Sequence, residues 1–432
     1  IKEGVRLGEP TLHFKGKMRF EEQKPLTSAL PVLKKQKVAD KQMIYKVLPH
    51  GPLFQVLQEI NRLDSEIVAL GAFKEQSQFS FAYQGFTTVP LAIESAFQAV
   101  GLFDIVKDNR MGLPFAIKTL TFYNKSLNAS PLIIRGFKKG ETEFGSVFDF
   151  ELITKQGDIV LKATDYTTVK VDFGGNFDEV ETFRLNRVKQ LFALPKEAKI
   201  EVVSIPQIKA RLTQDATFLE TILHPEELDK YRSFTVEKRK DEWLAGKIAA
   251  KQVLLQLFPN LELNTVQIVK SALGEPQISL PEFKTQINLS ITHSNGYAIA
   301  VVSLIEKIGI DLEIIENRSS ALIEEVLGPQ EQALLQRQQK KELLNELITK
   351  IWTAKEAASK VLGVGLNIDL HDLAIVDIKK DEMKIQVAPE KVPQVTNVPK
   401  KALSKDKSVI ELTAVVAQNE ESVAAVCKYL IS

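Results

Sequence analysis

Between residues 41 and 171 apolar positions recur mainly with period two, over Phe79–Tyr83, Pro131–Phe137, Gly145–Ile153 and Ile159–Val171. That is the signature of strands with one buried face. One stretch here, Val89–Leu102, has helical spacing instead, with Pro90 in its first turn and Gly101 near its end. The pattern predicts a sheet with a single central helix. Upstream, Gly4–Phe20 reads as strand ends and Lys24–Asp40 as a basic linker. Residues 172–198 read as a connector: a turn at Asp172–Gly175, then a charged segment with a short apolar helix. From 199 onward strands and helices alternate. Strands are expected at Ile200–Ser204, Val266–Lys270, Asn288–His293 and Tyr297–Ser303. Helices are expected at Thr217–Leu223, Pro225–Tyr231, Asp241–Leu257, Ser320–Leu327, Pro329–Arg337 and Lys341–Leu362. The Pro/Lys-rich Pro389–Lys407 predicts an exposed loop. Each half of this last region sets a long helix beside a sheet, so two similar lobes are expected.

A chain of 432 residues exceeds one ordinary core, and two or three domains follow. Lys+Arg 56 against Asp+Glu 55 leaves a net charge of +1, which argues against bulk nucleic-acid binding but permits a local basic pocket. The longest apolar run, Tyr297–Ile305, is far short of the ~20 residues that span a bilayer, so no membrane association is expected. Cys427 is the only cysteine; with no signal-peptide pattern at the start, a reducing, cytoplasmic setting is expected. The chain opens on Ile1, and we read it as cut from a longer polypeptide.

The chemistry concentrates in four segments. Ile308–Glu313 reads as a strand, placing Asp311 and Glu313 on one face. Two such carboxylates repel unless a cation lies between them, and hard divalent ions prefer oxygen ligands. Trp352–Lys360 reads as an Ala-rich helix with Trp352, Glu356 and Lys360 on one face. A third carboxylate beside a lysine suits magnesium held by carboxylates and substrate phosphates together. Asn288–Gly296 ends a strand with Ser290, Thr292, His293 and Ser294, a plausible phosphate cradle. Arg239–Lys251 is a helix presenting Lys247 and Lys251 on one face, with Gly246 permitting close approach. Taken singly, each also reads as ordinary structure: a helix ion pair, a solvated strand face, a structural histidine, an exposed basic face. Their co-occurrence in this order within about 120 residues points to a site.

Together these residues resemble the Sfp-type 4'-phosphopantetheinyl transferases. The acidic strand is Gly309-Ile310-Asp311-Leu312-Glu313 and the helix is Trp352-Thr353-Ala354-Lys355-Glu356-Ala357-Ala358-Ser359-Lys360. The family's Ser-x-Ser-His-Ser strand end is Ser290-Ile291-Thr292-His293-Ser294, its Ala-Gly-Arg helix is Ala245-Gly246-Lys247, and its Gly-Lys-Pro turn is Gly274-Glu275-Pro276. The last departure puts an acid where relatives place a phosphate-binding lysine, with Lys270 nearby in sequence to compensate. The resemblance implies two α/β lobes related by a pseudo-two-fold, with coenzyme A between them. Asp311, Glu313 and Glu356 would hold Mg²⁺, and Lys360 would stabilise the leaving 3',5'-ADP. Lys247, Lys270, Ser290 and His293 would bind the phosphates. Glu356, a bound water or Glu331 would accept the proton of an acyl carrier protein's serine. Phosphoryl transfer chiefly needs positioning and charge neutralisation, which metal and lysine supply.

In the N-terminal region, Glu94 and Gln98 lie four apart on an otherwise apolar helix, an environment that suits acid–base chemistry. This helix resembles the central helix of hotdog-fold dehydratases, and His50-Gly51-Pro52-Leu53-Phe54-Gln55 resembles the Gly-Pro-x-Phe-Gln motif of polyketide synthase dehydratases. Such enzymes take a histidine from a partner hotdog; His13 and His50 are poor substitutes, so that partner is expected upstream of Ile1. The fold class implied is α+β, a hotdog domain followed by the two-lobed α/β transferase. The divisions are 1–40 (end of an upstream hotdog and linker), 41–171 (hotdog), 172–198 (connector), 199–308 (lobe 1) and 309–432 (lobe 2). A dehydratase followed directly by a transferase resembles the end of an enediyne-type iterative polyketide synthase. The partners implied are coenzyme A, a carrier protein of the same megasynthase, and a second copy through the hotdog. The alternative is part of a β-hydroxyacyl thioester dehydratase whose transferase domain is inactive or only binds coenzyme A.

Overall fold

The computed structural model describes residues 15–19, 24–34, 36–72, 90–123, 131–279, 287–336, 341–379, 381–392 and 409–430. His13, the strand expected at Phe79–Tyr83, and most of the segments Gly4–Phe20 and Pro389–Lys407 lie outside them.

The N-terminal part is a seven-stranded antiparallel sheet around one long helix. Its strands are β1 (Ala39–Asp40), β2 (Leu57–Leu63), β3 (Glu66–Gly71), β4 (Arg110–Phe122), β5 (Leu132–Glu141), β6 (Ser146–Ile153) and β7 (Ile159–Asp172), in the order β1-β2-β3-β5-β6-β7-β4. The short helix α1 (Lys41–Val47) starts at Asp40, whose side chain accepts from the Met43 N–H. The central helix α2 (Pro90–Asp108) runs six residues beyond the expected end at Leu102. Gly101 does not stop it, because Leu102, Phe103, Ile105 and Val106 continue the buried surface. That burial outweighs the ~1 kcal/mol propensity cost of one glycine. Asn109, at φ 55°, ends the helix. Apolar on nearly every side, α2 fills the sheet's concave face, packing Ala96, Val100 and Phe103 with Ile134, Phe148 and Phe150. This helix wrapped by an antiparallel sheet is the hotdog arrangement.

The expected connector contains α3 (Phe177–Lys189). Its Val180 and Phe183 belong to the hotdog core, whereas Val188, with Leu191 and Phe192 beyond it, enters the core between the two later lobes. Arg187 bonds Asp64 of the hotdog at 2.8 Å, and Lys189 bonds Glu201 of the C-terminal region at 3.0 Å. The segment is thus a packed bridge rather than a tether.

Lobe 1 comprises β8 (Lys199–Ser204), α4 (Ile205–Gln214), α5 (Phe218–Ile222), α6 (Pro225–Arg232), α7 (Glu237–Leu255), β9 (Gln267–Lys270), β10 (Pro276–Ser279), β11 (Asn288–Ser294) and β12 (Tyr297–Ser303). Lobe 2 comprises β13 (Glu306–Ile314), α8 (Ser320–Val326), α9 (Pro329–Gln336), α10 (Lys341–Leu362), β14 (Ala374–Lys379), β15 (Glu382–Val387), β16 (Ile410–Gln418) and β17 (Ser422–Leu430). Apart from one extra helix in lobe 1, the same order occurs twice. The sheets run β11-β12-β8 with a separate β10-β9 ribbon in lobe 1, and β13-β17-β16-β15-β14 in lobe 2. Inner faces of β8, β12, β13 and β17 share one core, with Val202, Ile299 and Val301 against Ile310, Leu312 and Val426.

A buried ion pair repeats with the lobes. In lobe 1 the Lys251 ammonium, fully buried on α7, meets Glu227 of α6 at 2.5 Å and donates to the carbonyls of Ile222, Leu263 and Val266. In lobe 2 Lys355, fully buried on α10, meets Glu331 of α9 at 3.0 Å and donates to the carbonyls of Val326 and Leu370. Each glutamate also accepts a strand N–H, from Ile268 or Ile375. The lysines tie together carbonyls that helix and turn ends leave without partners. Lys355→Met is therefore expected to destabilise the protein by about 3–5 kcal/mol, because Glu331 stays buried without its cation. Urea unfolding checks this.

Candidate functional site

Strand alternation and one glycine build the site. On β13, Ile308, Ile310 and Leu312 enter the inter-lobe core, leaving Gly309, Asp311 and Glu313 to face α10. A Cβ at Gly309 would lie 2.5 Å from the Val361 nitrogen and closer still to the Ala357 carbonyl oxygen. Only glycine allows the helix to lie this close. α10 buries Ala354, Ala357, Ala358 and Val361 in its own lobe. The half-buried stripe Trp352, Glu356, Lys360 is left toward β13 and solvent.

Lys360 Nζ donates to Asp311 Oδ1 at 2.7 Å and to the Ile310 carbonyl at 3.1 Å. The Thr292 hydroxyl, from the edge strand of lobe 1, donates to the same Oδ1 at 2.8 Å. One residue pair away, the Ile310 N–H donates to Ser290 Oγ at 3.0 Å. The site thus lies where the open edges of β11 and β13 meet. Asp311 is 3% exposed, and its Oδ2 is buried with no hydrogen-bond partner. Burial, then the charge of Asp311, pushes the Glu313 carboxyl up to about 7, against the opposing pull of Arg318 and Lys360. Burial likewise raises Glu356, opposed by Lys360 and reinforced by the Asp311 charge. The Asp311 charge thus acts on both glutamates, and the nearby cations, Lys360 at both and Arg318 at Glu313, do not offset their burial. Among the described residues no group of three or more His, Cys, Asp or Glu side chains is gathered closely enough to hold a metal ion by itself.

The other expected residues are placed differently. Lys247 is engaged within lobe 1, donating to Glu227 at 2.9 Å and to the Ile268 carbonyl. Lys270 is exposed on β9. Ser290 is buried and acts through the Ile310 N–H, whereas His293 is exposed on the opposite strand face from Thr292. Glu331, expected as one proton acceptor, is committed to Lys355 and the Ile375 N–H deep in lobe 2, so that reading is corrected. Glu94 lies in the hotdog, and its side chain is not isolated: it accepts from Gln98 at 2.8 Å. Glu275, the acid in the turn, pairs with Lys307 at 2.8 Å.

Thr292, expected in the phosphate cradle, instead donates to Asp311. Two residues were not singled out from the sequence. Lys307 lies on the Gly309–Asp311–Glu313 face of β13, which period two alone would indicate. Arg318 bonds Glu313 at 3.2 Å and stacks over the Trp352 ring at 4.5 Å, and no local spacing signals this contact.

Lobe 1 offers an internal comparison. There Gln256, the residue capping the C-terminus of α7, donates to the Ile200 carbonyl and to Glu201, as Lys360 does to the Ile310 carbonyl and Asp311. Where Glu356 precedes Lys360 by four residues, lobe 1 has Gln252, and Glu201 is neutralised by Lys189. The charged arrangement exists in lobe 2 alone.

Residues 307–426 match the 4'-phosphopantetheinyl transferase superfamily, and residues 229–303 match the 4'-phosphopantetheinyl transferase N-terminal domain. The holo-[acyl-carrier-protein] synthase of Lactococcus lactis subsp. cremoris (strain SK11) is 36% identical over 110 residues, 24% of this chain and 92% of that protein. The chain belongs to the 4'-phosphopantetheinyl transferase superfamily. The synthase of Staphylococcus epidermidis (strain ATCC 12228 / FDA PCI 1200) is 34% identical over the same span, again 92% of its length. Residues 21–185 match the polyketide synthase dehydratase N-terminal domain. Among solved structures, Helicobacter pylori holo-[acyl-carrier-protein] synthase in complex with coenzyme A is 28% identical, with 25% of this chain and 98% of that one covered and a TM-score of 0.22. The CurJ dehydratase is 19% identical, with 34% and 55% covered and a TM-score of 0.28. The family models and the curated relatives make the protein a 4'-phosphopantetheinyl transferase enzyme carrying a polyketide synthase dehydratase-type hotdog domain. No helix among the described residues is long and apolar enough to cross a membrane.

Proposed function

We propose that residues 199–432 transfer 4'-phosphopantetheine from coenzyme A to a serine of an acyl carrier protein in polyketide or fatty-acid biosynthesis. The reaction depends on Mg²⁺ and releases 3',5'-ADP. The observation that carries this reading is Asp311: one oxygen is fixed by Lys360 and Thr292, and the other is buried and unpartnered beside two raised carboxyls. Such a donor set fits a hard cation, and Mg²⁺ typically completes its shell with water and substrate phosphates rather than a closed protein cage. Asp311, Glu313 and Glu356 would hold the ion, which when bound neutralises the diphosphate charge.

Lys360 would stabilise the charge that grows on the leaving 3',5'-ADP, and its bonds to Asp311 and the Ile310 carbonyl orient the ammonium. Glu356 or a bound water takes the serine proton; burial makes the Glu356 carboxylate a stronger base than a solvated one. Exposed Lys270 and His293 are assigned to the coenzyme A phosphates, and Ser290 positions the β13 backbone beside them. Lys247 joins them only by releasing Glu227. The carrier protein would belong to the same megasynthase, with the hotdog pairing two copies in the cytoplasm.

A second reading attaches to the hotdog. The Glu94–Gln98 bond on α2 supports residues 41–171 as part of a β-hydroxyacyl thioester dehydratase, with Glu94 in its acid–base chemistry.

Incubating an apo carrier protein with coenzyme A and Mg²⁺ should add the mass of one phosphopantetheine, and Glu356→Gln should abolish that gain. Full activity in the variant would refute the metal assignment. No gain with the unmodified chain would refute the transfer itself.

A further inference from the structure

Of the two cations at the acidic site, Lys360 and Arg318, the first holds Asp311 and the second holds Glu313. Arg318 lies in the short link between β13 and α8, and its backbone is pinned on both sides. The Ile315 N–H donates to the Glu421 carbonyl at 2.8 Å, and Ser319 caps α8 by accepting the Leu322 N–H. The Arg318 side chain is 10% exposed and folds back over α10, with its guanidinium carbon 4.5 Å from the centre of the Trp352 ring. Nη2 donates to Glu313 at 3.2 Å and to the Ile314 carbonyl at 2.8 Å, and Nη1 donates to Glu316 at 2.6 Å. Nε is buried with no hydrogen-bond partner. Glu316 is exposed, so Glu313 is the carboxylate that this guanidinium neutralises inside the site.

This contact is built for exchange. The bond to Glu313 is the longest of the three side-chain bonds, and the unpartnered Nε–H shows that the guanidinium is not fully committed to its present acceptors. The stack on Trp352 uses the face of the group and hydrogen bonds use its rim, so the stack persists whichever acceptors lie at the rim. A divalent ion entering beside Asp311 and Glu356 meets a fixed positive charge already seated on Glu313. A unit charge opposes a divalent ion twice as strongly as it opposes a proton, so the bare ion is resisted. A diphosphate arriving with the ion removes that resistance, because it supplies negative charge for both cations.

We infer that Arg318 is a resident counter-cation that holds Glu313 until coenzyme A and a divalent ion arrive together, so that uptake of the ion depends on the substrate. The inference rests on the reading of Asp311, Glu313 and Glu356 as the ligands of that ion. In the free protein Arg318 neutralises Glu313. In the complex the guanidinium stays on Trp352, its charge is balanced by the substrate, and Glu313 is released to the ion. Arg318 is a positioning residue: it acts through Glu313, on the order of binding and not on the transfer.

The test titrates Mn²⁺ into the 432-residue chain, with and without saturating coenzyme A, and reads the bound ion by electron paramagnetic resonance. Mildly alkaline pH keeps protons from competing for the carboxylates. The parent chain should bind Mn²⁺ at least about tenfold more tightly with coenzyme A than without it. Without coenzyme A, Arg318→Gln should bind Mn²⁺ about tenfold more tightly than the parent, and the effect of coenzyme A should shrink accordingly. Arg318→Lys, which keeps the charge, should stay close to the parent. A merely structural role gives the opposite sign, since a loosened site binds the ion less well. Thermal unfolding checks that the variants fold. Arg318→Gln binding the ion alone no more tightly than the parent overturns the inference. A parent whose Mn²⁺ affinity ignores coenzyme A but falls in Glu356→Gln overturns it too, while leaving the metal assignment intact. A parent that binds no Mn²⁺ in either condition overturns the metal assignment and the inference with it.

Discussion

Asp311→Asn is expected to lower kcat/KM for carrier-protein modification by about 10³-fold or more, roughly 4 kcal/mol of transition-state stabilisation. The substitution is isosteric, yet it removes the carboxylate that Lys360 and Thr292 hold and that leaves Oδ2 for a cation. The fold should tolerate it. Losing the Lys360 pair destabilises, but losing the repulsion felt by Glu313 and Glu356 offsets that, so stability should stay within about 2 kcal/mol. Steady-state kinetics beside thermal unfolding in a chelator separates the two effects. A variant that folds normally and transfers at the parent rate would show that Asp311 takes no part in the chemistry.

The second large effect is expected at Gly309. An alanine there would drive its methyl into the α10 backbone at Ala357 and Val361, which cannot move like the end of a side chain. α10 must then withdraw from β13, disrupting the Ala-lined contact and carrying Lys360 and Glu356 away from Asp311. Overpacking against backbone is expected to destabilise by about 3 kcal/mol or more, and transfer should fall with it. Gly174→Ala serves as the control, since a Cβ there meets nothing within 4 Å and the shift should stay within about 0.5 kcal/mol. Equal urea midpoints for the two variants would contradict the packing argument.

Local pattern revealed what local forces build. The strand Tyr297–Ser303 and the helix Lys341–Leu362 have the bounds their periodicity predicts, and the pairing of Asp311 with Glu313 needs only strand alternation. The doubled β/α order of the lobes was visible for the same reason. The hidden parts depend on distant backbone. Lys251 and Lys355 look like solvent-facing helix cations, yet each is fully buried because carbonyls from separate segments converge on it. Glu331 read as a reactive acid and is the buried partner of one of them. Lys247 lies on a helix face that suggests phosphate binding, but Glu227, twenty residues earlier, holds it. His50 belonged to no recognisable histidine motif; only the folding of the Pro52–Phe54 turn onto α2 brings it to Glu94. Short helices such as α1 escaped because a single turn or two carries too few apolar positions to establish a period.

The central claim is that Asp311, Glu313 and Glu356 share one divalent ion in the presence of coenzyme A. Titrating the protein with Mn²⁺ as a spectroscopic stand-in, with coenzyme A saturating, measures this directly by electron paramagnetic resonance. One bound ion per chain is predicted, with affinity weakened at least about tenfold in each of Asp311→Asn, Glu313→Gln and Glu356→Gln. Unchanged Mn²⁺ affinity in any one of the three, with the protein folded, would contradict it.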